Sequence, residues 1–102
     1  MPERATPAVF SCRISEGVRV DDTTVRVLEL GDAHVLLIVD GPQGNRRVQR
    51  AAGQVIAIGD VVVAVGTIGA EGKRAVDLRI AAPPDVTLVR IKREEGESVN
   101  AA

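Results

Sequence analysis

The chain has 102 residues, a formal net charge of −1 at pH 7 and a single aromatic residue, Phe10. That length suits one domain and is too short for two ordinary ones, and the charge excludes a global field that would attract nucleic acid or anionic membrane. Cys12 is the only cysteine, which excludes an internal disulfide framework and a cysteine-based metal cluster. No stretch resembles a signal peptide or approaches the ~20 apolar residues of a membrane span, so we expect a cytoplasmic protein.

Hydrophobic residues make up 45% of the chain, mostly Val, Ile, Leu and Ala. Branched side chains pack well on a pleated surface and lose rotamer freedom in helices, so this composition favours strands. All but two of the 13 basic residues are arginines, the exceptions being Lys73 and Lys92. The arginine fork suits phosphates and base edges, although a GC-rich genome would produce the same bias.

Apolar residues alternate at period two along most of the chain, and Gly, Asp and Pro punctuate the alternation. The pattern predicts strands at 9–13, 18–20, 25–30, 35–39, 46–51, 55–58, 61–65, 76–80 and 86–90. The only helix-like stretch is 91–95, which Gly96 stops. We therefore expect a single all-β domain over 9–95, with a disordered lead-in at 1–8 and a disordered tail at 96–102.

The alternating pattern occurs twice. Asp22 aligns with Asp60 at an offset of 38 residues, and Pro42 aligns with Pro83 at an offset of 41, because the second hairpin loop is three residues longer. At those offsets eight apolar residues meet eight others in the same order. The sequence thus predicts an internal duplication.

The most informative stretch is 78–90, LRIAAPPDVTLVR. An alternating run ends at Pro83-Pro84, and two successive prolines cannot continue a paired strand. A second alternating run follows and ends at Arg90. The local prediction is a strand, a proline corner and a strand that ends in arginine.

This stretch resembles the carbon storage regulator (CsrA/RsmA) family, whose pattern includes A-P-x-x-V-x-V-x-R. The matching positions are Ala82-Pro83, Val86, Leu88 and Arg90. The resemblance extends over two repeats, about 9–50 and 48–93, and the second is the better match.

Family members are intertwined dimers, so the resemblance implies that the two repeats form an intertwined single-chain pseudo-dimer of antiparallel strands, monomeric in solution. Tethering would hold the two halves at an effective concentration of roughly millimolar. Residues 46–51 would serve as the last strand of the first repeat and the first strand of the second. We therefore expect at most one complete binding edge, formed by 9–13 paired with 86–90.

The resemblance implies an RNA-binding edge that contains Arg90, Leu88, Phe10, Cys12 and Arg13. Arg90 would offer a bidentate fork to guanine or phosphate, against the alternative of a solvated strand end. Phe10 would stack on a base or simply pack, and Cys12 stands where the family carries an arginine, a loss that Arg13 partly offsets.

Arg46, Arg47 and Arg50 form a basic cluster on the shared strand. Two explanations are equally good: the cluster contacts RNA phosphates, or it keeps an edge strand from aggregating. We include Arg47 and Arg50 among the candidate RNA-binding residues.

Two functions are open. In the first, the protein binds GGA-containing loops of mRNA leaders and represses translation by blocking ribosome access, with a regulatory small RNA or a protein antagonist as further partners. In the second, it is a diverged protein-interaction or structural module that has lost RNA binding, with a partner strand added to an exposed edge. No nucleophile elbow, phosphate loop or metal-ligand spacing is present, so we expect neither enzymatic activity nor a cofactor.

Overall fold

A computed structural model of the protein describes residues 7–69, 72 and 74–92. These residues form nine strands in two antiparallel sheets and no helix, which confirms the all-β prediction. The strands are β1 (Ala8–Cys12), β2 (Gly17–Val20), β3 (Thr23–Leu30), β4 (His34–Gly41), β5 (Gly44–Ala51), β6 (Val55–Ile58), β7 (Val61–Ile68), β8 (Val76–Ala81) and β9 (Leu88–Ile91). One sheet has the order β1-β8-β7-β6, and the other has the order β5-β4-β3-β2-β9.

Both sheets contribute their inner faces to one hydrophobic core. The core is built almost entirely of valine, leucine and isoleucine at alternate strand positions, as period-two burial requires. Leu37 of β4 and Leu78 of β8 are its largest fully buried members. The core has few aromatic side chains and consists mainly of small branched ones. Such side chains pack well on the pleated surface of paired strands, which is why sheets enclose this core.

The strand registers agree with the offsets found in the sequence. Five of the six pairs in the β3–β4 hairpin have a counterpart in the β7–β8 hairpin, displaced by 38 residues on the first strand and 41 on the second. The matched pairs are Val25↔Val39 with Val63↔Ile80, Val27↔Leu37 with Val65↔Leu78, and Leu30↔Val35 with Ile68↔Val76. Both hairpins also carry a register shift at the same place, after Val27 and after Val65.

The correspondence extends to the loops that precede β2 and β6. The Arg13 N–H donates to Glu16 Oε1 at 2.8 Å, and the Ala51 N–H donates to Gln54 Oε1 at the same distance. Gly59, with φ of 58°, is the counterpart of Asp21, with φ of 54°. The β2–β3 and β6–β7 turns therefore both contain a residue in the left-handed region.

The two sheets exchange strands between the halves of the sequence. β1 pairs with β8, so Phe10 lies opposite Leu78, and β9 pairs with β2, so Leu88 lies opposite Val20. The prediction that 9–13 would pair with 86–90 is therefore wrong, because β1 forms its backbone hydrogen bonds with β8 and β9 forms its own with β2, in different sheets. β9 also begins later than the predicted strand at 86–90. Val86 lies in the proline corner, where its N–H donates to the Pro83 carbonyl at 3.1 Å.

β5 occupies only one of the two places that we predicted for it. It lies against β4 with Val48 opposite Leu37, which is the register that β1 has with β8. It does not lie along the edge of β6 that faces away from β7, and no other described strand does. The reason is the turn at Pro42 and Gln43, which sends the chain straight back along β4.

Most of the predicted terminal segments lie outside the described residues. The lead-in at 1–8 overlaps them only at Pro7 and Ala8, and Ala8 already belongs to β1. The helix-like stretch at 91–95 overlaps them at Ile91, which ends β9, and at Lys92. In the part of the chain that is described, no helix is long and apolar enough to cross a membrane.

Candidate functional site

Arg90 joins the edges of the two sheets. Its Nη1 donates a hydrogen bond of 3.0 Å to the carbonyl of Ser11, a residue 79 positions earlier, and its guanidinium carbon lies 5.6 Å from the centroid of the Phe10 ring. The side chain thus combines a cation–π contact with a backbone hydrogen bond, both on β1. We call this region the β1–β9 seam and define it by Phe10, Ser11, Arg13, Leu88 and Arg90.

β1 presents a free backbone edge at the seam. It is the outermost strand of its sheet, so alternate N–H and C=O groups point away from β8. The Ser11 carbonyl is one of these outward groups, since it accepts from Arg90, and by alternation Val9 supplies the next. Val9 is also 56% exposed, so this edge is open to a ligand that can hydrogen-bond to backbone.

Cys12 does not present its side chain at the seam. The residue is fully buried in the core, and its thiol lies 3.8 Å from the Phe10 carbonyl. Burial raises the pKa of the Cys12 thiol to about 11, against the lowering effect of the nearby Arg90 cation. A neutral, enclosed thiol offers nothing to an anionic ligand, so the RNA-contacting role that we gave this side chain is not supported by its position.

Arg13 and Leu88 border the seam in different ways. Arg13 follows β1 and is exposed, with its backbone fixed by the hydrogen bond to Glu16. Leu88 is half-buried and packs against the core. The seam therefore has the exposed guanidinium of Arg90 beside the partly buried Phe10 and Leu88, and a second exposed arginine, Arg13, directly after β1.

The arginines of β5 lie elsewhere. β5 and β9 are opposite edges of the five-stranded sheet, about 19 Å apart at the usual strand spacing. Arg46 and Arg50 pair with the buried residues Val39 and Val35, so they share the inner face of β5, whereas Arg47 lies on the outer face. The structure thus brings Arg46 and Arg50 to one face and separates both Arg47 and the whole cluster from Arg90.

Arg50 has a structural role that sequence reasoning missed. Its Nε donates to the Val55 carbonyl at 3.0 Å and its Nη1 donates to the Gln49 carbonyl at 2.9 Å, so one guanidinium bridges β5 and β6. At the offset of 38, Arg50 is the counterpart of Cys12 and Gln49 is the counterpart of Ser11. The equivalent carbonyl therefore receives an arginine in both halves, from β9 in one and from β5 itself in the other. Reading the two repeats side by side would have placed Arg50 on the inner face.

No group of three or more potential metal-ligating side chains occurs among the residues that the structure describes. A hollow with a volume of about 510 Å³ lies between the β4–β5 turn and β6. It is separate from the seam, and Arg46 is its one charged lining residue.

Comparisons with protein-family models, with curated proteins and with solved structures found no match for this chain.

Proposed function

We propose that the protein is an RNA-binding regulator that recognises GGA-containing loops of mRNA leaders through the β1–β9 seam and so represses translation. The observation that carries the proposal is the contact of Arg90 with Ser11 and Phe10. The two strands whose sequences resemble the family's RNA-binding edge are remote in sequence, yet their side chains and backbone meet at one place.

The seam has the groups that a short single-stranded loop needs. One Arg90 nitrogen is committed to Ser11, and the guanidinium retains further N–H donors for the acceptor edge of a guanine or for a phosphate. The same hydrogen bond restricts the side chain before binding, which lowers the entropy that binding would otherwise cost. The outward backbone groups of β1 can bond to base edges, and Arg13 can contact a phosphate.

The same proposal includes the fold: two repeats of one chain form a pseudo-dimer that corresponds to the two-subunit dimer of the carbon storage regulators. The matched registers and the exchange of β1 and β9 between the halves support this pseudo-dimer. Only one complete seam is formed by the described residues, because β5 has the place of β1 in the second half but no strand beside β6 has the place of β9. We therefore expect one RNA hairpin per chain.

The test is the binding of an RNA hairpin with a GGA loop to the wild-type protein and to Arg90→Ala. Loss of one bidentate base contact should weaken binding by roughly 5- to 150-fold, corresponding to 1–3 kcal/mol. Arg90→Lys keeps the charge without the fork, so it should preserve the salt dependence and lose discrimination between GGA and GAA loops. With two or three phosphates neutralised, the slope of log K against log salt should be about −1.4 to −2.

Arg47→Ala is the matched control. It removes the same charge from the exposed outer face of β5, about 19 Å from β9 at the usual strand spacing, and should change the affinity by less than about twofold, since exposed charges at that distance are screened. If the wild-type protein fails to bind the hairpin at low salt, or if Arg47→Ala weakens binding as much as Arg90→Ala, the proposal is wrong.

The burial of Cys12 favours the second candidate function, a protein-interaction module that keeps the fold without RNA binding. In that case the seam has lost the cation that the resemblance implies at this position. The absence of hairpin binding at low salt, together with an unchanged fold, is the result that selects this candidate.

A further inference from the structure

The outer edge of β6 is built like a strand-accepting site. Gln54 accepts a hydrogen bond from the Val65 N–H at 2.9 Å, so Gln54 faces β7 and, by alternation, Val55 and Ala57 point their backbone groups away from the sheet. The Arg50 side chain donates to the Val55 carbonyl at this edge, and no described strand pairs with β6 on the side away from β7. β6 has the sequence VIAI, without the charge or proline that usually protects an edge, and Val55 is 50% exposed.

The equivalent edge in the first half is occupied. β2 is the counterpart of β6, and its outward residues Gly17 and Arg19 lie opposite Ile91 and Val89 of β9. Beyond β2 the contact continues, because the Asp21 N–H donates to the Thr87 carbonyl at 2.9 Å. The chain therefore shows what the edge of β6 accepts: an antiparallel strand.

The hollow of about 510 Å³ beside β6 extends the same site. Its lining includes Ile58 and Gly59, the counterparts of Val20 and Asp21. In the first half, Leu88 lies opposite Val20, and Val86 and Leu88 pack against the core. The hollow is thus the space that an apolar segment like 86–88 fills at the other end of the molecule.

The charge at this edge identifies the partner further. Arg90 of β9 lies opposite Val18 and reaches the Ser11 carbonyl. At β6 the corresponding position of an added strand would face Ile56 and the Gln49 carbonyl, where the Arg50 guanidinium already lies. A carboxylate suits this position. A second copy of the chain that paired β6 with β6 would bring the Arg46 and Arg50 side chains of both copies together, so like-charge repulsion disfavours it.

We propose that the edge of β6 binds an extended segment of another protein, apolar at alternate positions and with one acidic side chain, as an added antiparallel strand. The incoming strand takes the Val55 carbonyl from Arg50, and the released guanidinium pairs with the carboxylate. Backbone hydrogen bonds supply the affinity, and the hollow beside Ile58 together with Arg50 supplies the specificity. This site is separate from the seam and does not depend on RNA binding there.

The probe is a synthetic, end-capped peptide that copies residues 84–91 with the change Arg90→Glu. NMR spectra of the full-length protein should show saturable shifts in the amides of 55–59, and the Val55 and Ala57 amides should exchange more slowly in the complex. The same peptide methylated on the Val89 nitrogen lacks one of the donors that face the edge and should not bind. This control leaves the protein unchanged, so a folding defect cannot explain it.

A double-mutant cycle tests the acidic contact. The wild-type protein should bind the glutamate peptide about fivefold more tightly than a peptide with Arg90→Gln, as an exposed ion pair of up to 1 kcal/mol implies. Arg50→Gln should bind the two peptides equally. The peptides are compared within each protein, because only the wild-type protein gives up the hydrogen bond from Arg50 to the Val55 carbonyl. Arg47→Gln, on the outer face of β5, is the matched control and should leave both affinities unchanged.

Three results would overturn the proposal: no protection of the Val55 and Ala57 amides at 1 mM peptide, shifts centred on 17–21 instead, or equal binding of the methylated peptide. Self-association through β6, seen as a concentration-dependent dimer with the same amides protected, would assign the edge to a second copy. Equal perturbation of 55–59 by the GGA hairpin would assign it to nucleic acid.

Discussion

Cys12 and Arg50 occupy equivalent places and have opposite chemistry. Cys12 is enclosed in the core, whereas Arg50 leaves the inner face to reach two carbonyls at an open edge. This chemical difference follows from whether another strand supplies a cation to the edge next to each residue. β9 supplies Arg90 to the edge beside Cys12, so the position itself can be apolar, and β6 has no such neighbour among the described strands, so the position supplies its own cation.

The buried thiol of Cys12 makes the folded state less stable as the pH becomes alkaline. Because burial raises the pKa of Cys12 from 9.0 to about 11, the folded state keeps the proton over a range in which the unfolded state releases it. The stabilisation is complete below pH 9 and is lost as the pH rises towards 11, at up to about 1.4 kcal/mol per pH unit. Urea unfolding of the wild-type protein between pH 8 and pH 11 measures this dependence.

Cys12→Ala is the comparison for that experiment, because it removes the titrating group and leaves the other ionisable residues in place. Its free energy of unfolding should fall less steeply than that of the wild-type protein between pH 9 and pH 11. Parallel pH profiles for the two proteins would show that the thiol is accessible to water in the folded state.

At the level of elements, Asp21 fixes the approach to β9. Its carboxylate accepts from the Thr87 N–H at 3.0 Å, and its own N–H donates to the Thr87 carbonyl. This pair of bonds ties the proline corner to the β2–β3 hairpin. The orientation of Arg90 at the seam therefore depends on Asp21, in the turn between β2 and β3.

Asp21→Gly should loosen β9 without disturbing the hairpin. Glycine adopts the φ of 54° without strain, as Gly59 does in the other hairpin, so the main loss is the bond from Thr87 to the carboxylate. We expect a cost of about 1.5–3 kcal/mol for a hydrogen bond to a charged group, faster amide exchange over 87–90, and weaker binding of the GGA hairpin. Asp22→Ala, at the adjacent exposed turn position, is the control, and equal effects of the two substitutions would contradict this role of Asp21.

The elements themselves were largely predictable, and their partners were not. Alternation located every strand to within a few residues, and the offsets of 38 and 41 agree with the way the registers of the two long hairpins match each other. Alternation along 8–12 also places Cys12 on the same face as Phe10. The strand beside which β5 lies was not predictable from its own residues. Prolines follow both β4 and β8, but the tight turn at Pro42 and Gln43 returns the chain along β4, whereas the longer corner at Pro83 and Pro84 carries the chain to the other sheet. Partners of β1 and β9 are remote in sequence, and no local pattern encodes them.

On the scale of the whole molecule, the two halves are interlocked. The sheet that contains β6, β7 and β8 is completed by β1, and the sheet that contains β2, β3 and β4 is completed by β9. Neither half can keep its full sheet if the other unfolds. A single cooperative unfolding transition is the consequence.

Val27→Ala and Val65→Ala test this cooperativity, since the two residues are buried counterparts in β3 and β7. Each substitution should cost about 2 kcal/mol, for two lost methyl groups and the resulting cavity, and each should move the same transition without changing the urea m-value. Circular dichroism and amide exchange should report one midpoint for both halves. A second transition in either variant would show that the halves unfold separately.

The tight turn between β4 and β5 has a consequence for how this protein can change over time. In a dimer of identical subunits every substitution appears twice, so a residue that improves one edge is imposed on the other. In this chain the codons for Cys12 and Arg50, or for Gly17 and Val55, vary independently, although their residues occupy matching positions. One edge can therefore be selected for one ligand while the other is selected for a different one, on a scaffold that both have in common.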